Sequence, residues 1–310
     1  MAGELVGSFF KAWRLNELIG AGGDAEVYRG VRADTNARCA VKVLTPKAAA
    51  NKDQVKAFAK EIAILGGLEH SGFPRLFAEG TVQDRPCFSM QLIEGGSLRY
   101  FLDTGRAFDR IGCLMSGAAL VAQLHGAAVI HGDVKLENFL LPDDGRLRLI
   151  DFGNARSTGG TAIFKRMMRG PVRGTPSYLA PELIKGKPPS YGSDVYAFGV
   201  AAWYLLAEKS PFTGTKAEIL SQAVRCQAPG IKRAQPLLPL GLARIIDRCL
   251  MRDPDMRFTD CAEVATALKL FFRQPESPRP QALARDLQHR LRLQRERQGQ
   301  AQAEVNWLDD

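Results

Sequence analysis

No stretch restricts this chain as tightly as Val129 to Gly153, VIHGDVKLENFLLPDDGRLRLIDFG. The apolar pair Val129 and Ile130 leads into a polar loop carrying His131, Asp133, Lys135 and Asn138, and a short hairpin follows. Phe139 to Leu141 form one arm and Leu147 to Ile150 the other, and the turn Pro142-Asp143-Asp144-Gly145 supplies the positive-φ position that a tight reversal needs. The second arm ends on Asp151. Two carboxylates and an amide therefore meet at one edge of a small ribbon. Asn138 and Asp151 are hard oxygen ligands suited to magnesium, and Asp133 can accept a proton from an incoming hydroxyl. A hydrophilic loop between core strands explains any one of these residues but not the set.

At 310 residues, with 45% hydrophobic and 24% charged residues, the chain has the profile of a soluble globular protein with one large core or two lobes. The most apolar run, Val195 to Ala207, is too short to span a bilayer and reads as a buried helix. Gly3 to Phe10 is brief, contains Glu4 and does not read as a signal peptide, so the expected location is the cytoplasm. Six cysteines without CxxC spacing read as reduced structural thiols. The net charge of +9 is spread along the chain with no aromatic-basic pattern, so no nucleic acid is expected as a partner.

HGDVKLEN followed by DFG resembles the catalytic loop and metal-binding motif of the protein kinases, in which Arg stands where this chain has Gly132. HGD with Asn five residues after the Asp is also the spelling of small-molecule kinases such as the aminoglycoside and choline phosphotransferases, and the loop alone does not separate the two. Lys135 resembles the serine/threonine branch of the protein kinases.

Upstream, Trp13 to Leu44 reads as three strands. The first turn, Gly20-Ala21-Gly22-Gly23-Asp24-Ala25-Glu26-Val27, is similar to the kinase glycine-rich loop with Ala25 at the third glycine; glycines there let backbone N–H groups approach phosphate oxygens. Lys42, in the apolar strand Ala40-Val41-Lys42, is an awkward buried cation unless an anion meets it. Asp53 to Leu68 has Val55, Phe58, Ile62 and Leu65 at helical spacing, which puts Glu61 at the edge of the buried stripe with Lys42 as its candidate partner. Phe77 to Val82 and Pro86 to Ile93 supply two further strands before Glu94-Gly95-Gly96-Ser97, which looks like an interlobe hinge. By resemblance Lys42 holds the ATP phosphates, Gly20, Gly22, Gly23, Val27, Ala40 and Leu140 line the nucleotide site, Met90 is the gatekeeper, and the backbone from Gln91 to Ile93 faces adenine.

Helical patterns follow over Leu98 to Leu102 and Ile111 to His125. Beyond Asp151, Asn154 to Gly174 is basic, with Arg156, Lys165, Arg166, Arg169 and Arg173 and no acidic residue, and it ends in GTPSYLAPE. That ending resembles the close of a protein-kinase activation segment and decides against the small-molecule kinases. Asp194 matches the family's helix Asp that braces the catalytic loop, and Arg257 matches the Arg that pairs with the Glu of APE, here Glu182. The resemblance covers roughly Trp13 to Phe272. It implies an α+β, bilobal protein-kinase-like fold, with a small antiparallel β-sheet lobe carrying one main helix (13–93) and a larger, mostly helical lobe (97–272). Residues 1–12 form an extension, 273–280 a Pro-rich linker and 281–310 a basic amphipathic helical tail in which Leu283, Leu287 and Leu291 recur among arginines. The tail could dock on the kinase domain, a partner or an acidic membrane surface, its own domain being favoured.

The implied activity is transfer of the γ-phosphoryl of ATP to serine or threonine of proteins. Lys42 and Glu61 position ATP, Asn138 and Asp151 hold Mg2+, Asp133 takes the hydroxyl proton and Lys135 neutralises the transferred group. Two departures bear on regulation. Gly132 replaces the Arg that in many kinases receives an activation-segment phosphate, and Ala162 to Gly174 contains no Ser, Thr or Tyr. Receiver and modification site are missing together, so activity is expected without phosphorylation there; Ser157, Thr158 and Thr161 are the remaining sites, and Thr175 lines the substrate pocket by resemblance. The basic segment reads either as a feature that favours acidic or phosphorylated surroundings at the target or as a solvated charged loop. The rival from another class is a pseudokinase scaffold that binds ATP and partners without catalysis, for which Gly132 and Ala25 leave room.

Overall fold

The structure, a computed structural model, describes residues 3–159, 175–225 and 228–306, with side chains to Glu296. Lys165, Arg166, Arg169 and Arg173, together with Thr161, Cys226 and the terminal Trp307 to Asp310, lie outside the described residues. The amino-terminal lobe is a six-stranded antiparallel sheet in the order β1-β2-β3-β4-β6-β5. Its strands are β1 (Phe9–Phe10), β2 (Trp13–Ala21), β3 (Ala25–Arg32), β4 (Arg38–Leu44), β5 (Leu76–Val82) and β6 (Arg85–Gln91). Strand alternation sorts β4 cleanly. Cys39, Val41 and Val43 point to an outer apolar cluster with Leu5, Phe10, Leu15 and Tyr28, whereas Ala40, Lys42 and Leu44 face the interlobe cleft. The short β1 was not evident from sequence, because two residues show no period; pairing of Phe10 with Trp13 and burial of Leu5 and Phe10 give it its place.

Helix α1 (Pro46–Ala49) is a single turn, and α2 (Lys52–Gly66) crosses the inner face of the sheet. Asn51 caps α2, its side-chain oxygen accepting from the N–H groups of Asp53 and Gln54. Phe58 and Leu65 anchor the helix in the core, Phe58 against Phe88 of β6.

After β6 the chain passes through residues 92–95 to β7 (Gly96–Ser97), which pairs with the first strand of the hairpin of β9 (Phe139–Leu141) and β10 (Arg148–Leu149). Gly145, with φ +71°, closes that hairpin, its N–H donating to Pro142 O at 3.0 Å. Strand β8 (Val129–Ile130), just before the loop that carries His131, Asp133 and Asn138, pairs with β11 (Arg156–Ser157), which follows Asp151. The carboxy-terminal lobe is helical: α3 (Leu98–Asp103), α4 (Arg110–Gly126), α5 (Pro181–Ile184), α6 (Tyr191–Ala207), α7 (Lys216–Arg225), α8 (Ile231–Ala234), α9 (Leu240–Cys249), α10 (Cys261–Arg273) and α11 (Pro280–Asn306). The apolar run read as a buried helix is α6, which places Tyr196, Phe198 and Trp203 in the centre of the lobe. A capping box between Ser190 and Ser193 starts it.

Pro280, which composition assigned to the linker, is the first residue of α11, where a fixed φ and a missing N–H cost nothing. Leu283, Leu287 and Leu291 of this helix are buried in the core of the large lobe. Arg295 donates to both carboxylate oxygens of Glu208, at 2.7 and 2.8 Å, and to Leu102 O at 3.0 Å. Among the described residues, no helix is long and apolar enough to cross a membrane.

Candidate active site

A cleft of about 530 Å³ separates the lobes, within the size range of small-molecule sites. Its lining includes Gly20, Gly22, Gly23, Val27, Ala40, Met90, Gln91, Ile93 and Leu140, together with Lys42, Glu61, Asn138 and Asp151. Strand pairing brings Ala40 opposite Met90 and Lys42 opposite Phe88, so the cation and the apolar lining of the cleft are fixed by one register.

Lys42 Nζ donates to Glu61 Oε1 at 2.6 Å and to Asp151 Oδ1 at 2.9 Å. Glu61 reaches it because it lies between Phe58 and Leu65, the two buried anchors of α2, and is itself only 5% exposed. Burial alone would lower the Lys42 ammonium, but the charges of Glu61 and Asp151 outweigh it and hold it above its ordinary value. Burial would likewise raise Asp151, yet the adjacent Lys42 ammonium prevails and brings the carboxyl down to about 2. Burial, reinforced by the charge of Asp151, raises Glu61 against the pull of Lys42. One cation thus serves two carboxylates on the floor of the cleft.

Asp151 adopts φ +65° as the strand ends, a conformation uncommon outside glycine. Phe152 behind it is buried, edge-on to Phe73 and against His131. Gly153 N–H donates to Asp151 Oδ1 at 3.4 Å.

The catalytic loop is held from beneath by Asp194 of α6. Its carboxylate accepts from His131 N–H at 2.7 Å and from Gly132 N–H at 2.9 Å. His125 Nδ1 accepts from Cys261 N–H, which leaves its Nε2–H to donate to Asp194 at 3.2 Å. His131 follows the same logic: Nδ1 accepts from Asp133 N–H, and Nε2 faces Ile150 O at 3.3 Å. Asp133 is largely buried, with Lys135 Nζ on its Oδ2 at 2.6 Å. The same ammonium reaches Thr175 Oγ1 at 3.3 Å, which places Thr175 beside the Asp133–Lys135 pair.

Asn138 Nδ2 donates to Asp133 O at 2.8 Å. That bond ties the loop to itself and orients the amide so that its oxygen is the group left for a hard cation. With the ionised Asp151, the donor set fits magnesium, which takes oxygen ligands and keeps several waters.

Beyond the loop, Arg257 clasps Glu182 through two parallel bonds of 2.7 and 2.8 Å, fully buried, and stacks on Tyr196. Gly132 sits at φ +74°, and a Cβ built there would lie 2.7 Å from Asn154 O.

Three contacts have no local sequence signal. Gln54 Nε2 donates to Asp24 Oδ1 at 2.6 Å, joining α2 to the glycine-rich loop. Arg85 is buried with Glu26 and Glu4, at 2.6 and 2.7 Å. Thr158 Oγ1 meets Tyr191 OH at 2.8 Å and Ala128 O at 3.1 Å. Each joins residues far apart in the chain, or lone polar residues without a period, and only the fold reveals it.

Fold and site together define the class: a two-lobed α+β protein with a Lys–Glu–Asp trio across its cleft and an Asp–Lys–Asn loop braced by a buried helix Asp. Residues 13–271 match the protein kinase domain, and the chain belongs to the protein kinase family. It is 33% identical over 267 residues to the serine/threonine-protein kinase pkn2 of Myxococcus xanthus, covering 83% of this chain and 32% of that protein. To PknJ of Mycobacterium tuberculosis, also a serine/threonine-protein kinase, it is 31% identical over 280 residues, covering 86% of this chain and 46% of that one. PknL of Mycobacterium tuberculosis, another, is 30% identical over 255 residues, with 81% and 63% covered. The chain thus spans between about a third and just under two thirds of the length of these curated relatives.

Proposed function

We propose that the chain is a serine/threonine protein kinase that transfers the γ-phosphoryl of ATP to hydroxyls of protein substrates in the cytoplasm. The observation that carries this reading is the Lys42 ammonium held between Glu61 and Asp151 at 2.6 and 2.9 Å, on the floor of a glycine-roofed cleft. A lysine so fixed presents its remaining N–H to an anion. Glu61 sets the direction of the ammonium and Lys42 binds the phosphates. Asn138 and Asp151 would hold magnesium, which when bound supplies neutralisation of the phosphate oxygens. Asp133 orients the acceptor hydroxyl and takes its proton, while Lys135 offsets charge on the transferred group. Positioning and electrostatics supply most of the acceleration, so distances matter more than any one group's reactivity.

Activity does not depend on phosphate in the activation segment. Gly132 offers no guanidinium to receive one, and the space a side chain would enter is filled by Asn154 O. Thr158 is engaged with Tyr191 and Ala128, which makes it an anchor of the segment rather than its switch. The arginines and lysine of 162–174 select targets with acidic or phosphorylated surroundings.

The test is transfer of labelled phosphate from Mg·ATP to the protein itself and to a generic acceptor, beside Asp133→Asn, before and after phosphatase treatment. Transfer lost in the variant, yielding phosphoserine or phosphothreonine and surviving phosphatase, is the expected result. Nucleotide binding without transfer would replace the enzyme by a scaffold, and transfer abolished by phosphatase would overturn the regulatory reading.

A further inference from the structure

We propose that Asp24 and Gln54 form a clip that positions the phosphate-binding loop and couples its closure to the seating of α2; the inference rests on the nucleotide-binding reading above. The loop between β2 and β3 is rich in glycine, and such a backbone is costly to hold in one conformation. Here it is held on its β3 side. Gly22 N–H donates to Ala25 O at 2.9 Å, Thr45 N–H to Asp24 O at 3.0 Å and Thr45 Oγ1 to Gly23 O at 3.4 Å. A side-chain bond carries the loop to α2: Gln54 Nε2 donates to Asp24 Oδ1 at 2.6 Å.

The chemistry of the pair is informative. Asp24 lines the cleft where a triphosphate would lie under the loop, and a free carboxylate there would repel it. An amide donor engages one of its oxygens and keeps that oxygen from turning toward the ligand. The spacing is equally informative. Gln54 precedes Glu61 by seven residues, two turns of helix, so the two project from the same face about 10 Å apart. Helix α2 is therefore fastened to the nucleotide elements at two points, Glu61 on Lys42 and Gln54 on the loop. Turning or lifting the helix breaks both bonds together. A loop closed over phosphate holds the helix in, and a helix held in closes the loop. Asp24 and Gln54 are positioning residues, acting on the nucleotide through backbone and helix.

The experiment measures the dissociation constant of Mg·ADP by calorimetry for wild type, Gln54→Glu, Asp24→Asn and the double variant, with amide exchange of residues 20–25 and 52–61 and thermal unfolding of each. Gln54→Glu sets like charges against each other and should weaken Mg·ADP about tenfold and speed exchange in both segments, with the large lobe unchanged. Asp24→Asn keeps an acceptor for Gln54 and should bind within about threefold of wild type. The double variant restores a donor–acceptor pair in the reverse sense and should recover to within about threefold of wild type. Recovery cannot come from a merely structural role of either residue, because both changes are then present. Equal binding by wild type and Gln54→Glu, or a folded double variant as weak as Gln54→Glu, would overturn the clip alone. A folded wild type that binds no Mg·ADP would overturn the nucleotide reading and the clip with it.

Discussion

Two buried ion pairs of nearly equal length differ in everything else. Arg257 and Glu182 meet at 2.7 and 2.8 Å, and every other N–H of the guanidinium is used: Nε on Met251 O, Nη1 also on Gly192 O, Nη2 also on Arg252 O. The pair is neutral and closed. Lys42 spends two of its three N–H groups on two carboxylates, leaves one without a partner among the described residues, and opens onto a cleft in which Asp151 is 45% exposed. That arrangement is incomplete by design of its donors and charges, because an anion and a cation are still to come. Saturation marks a staple, and residual valence marks a site.

Breaking each pair should therefore give opposite signatures. Removal of the ammonium by Lys42→Met is expected to lower phosphoryl transfer about a thousandfold, with a shift in melting temperature far smaller than that of the staple variant; activity assays and calorimetry on the same sample decide. Arg257→Ala leaves Glu182 buried without its partner and should cost about 3–5 kcal/mol in urea unfolding. Arg257→Lys should recover little of this, since an ammonium cannot make two parallel bonds to one carboxylate. A catalytic loss from Arg257→Ala without a stability loss would erase the distinction.

Both pairs were legible before the fold, but by different routes. Helical spacing put Glu61 at the edge of the buried stripe facing the buried Lys42, whereas Arg257 was matched to Glu182 only through the resemblance to the family. The two lobes were legible through the resemblance to the family, and strand and helix periods supplied most of the elements within them. What the motifs could not carry is backbone conformation and contact between lone polar residues. The missing Arg at Gly132 was visible, but not that the position has φ +74° with Asn154 O where a Cβ would go. Nor could composition join Asp24 to Gln54 or Arg85 to Glu26, because neither pair shares an element or a period.

Gly132 sharpens the comparison at its next level, since strain there acts on the loop that the cleft depends upon. Gly132→Ala should cost about 1–3 kcal/mol and lower transfer by displacing Asp133, with Mg·ADP affinity nearly intact; an alanine variant as stable and active as wild type would show that the loop shifts freely. A smaller effect comes from Asp151. Its carboxyl lies at about 2, below its ordinary 3.8, so it contributes stability above 3.8 that is lost as pH falls toward 2. Wild type should therefore lose stability relative to Asp151→Asn over that interval, read from urea midpoints, and a constant difference would remove the charge coupling to Lys42.

The smallest expected effect calibrates the rest. Arg38 and Glu94 join the start of β4 to the interlobe connection at 2.9 Å, the same distance as Lys42 to Asp151, but their side chains are 52% and 58% exposed. In water two charges at such range gain about 1 kcal/mol before the cost of ordering two long side chains. Salt at 0.15 M screens beyond about 8 Å and weakens even this contact. Arg38→Ala should change unfolding free energy by no more than about 0.5 kcal/mol, and by less still at high salt, with transfer unchanged. If it instead matched Arg257→Ala, distance alone would govern these pairs. A null result leaves burial and saturation of donors as what separates a staple from a site.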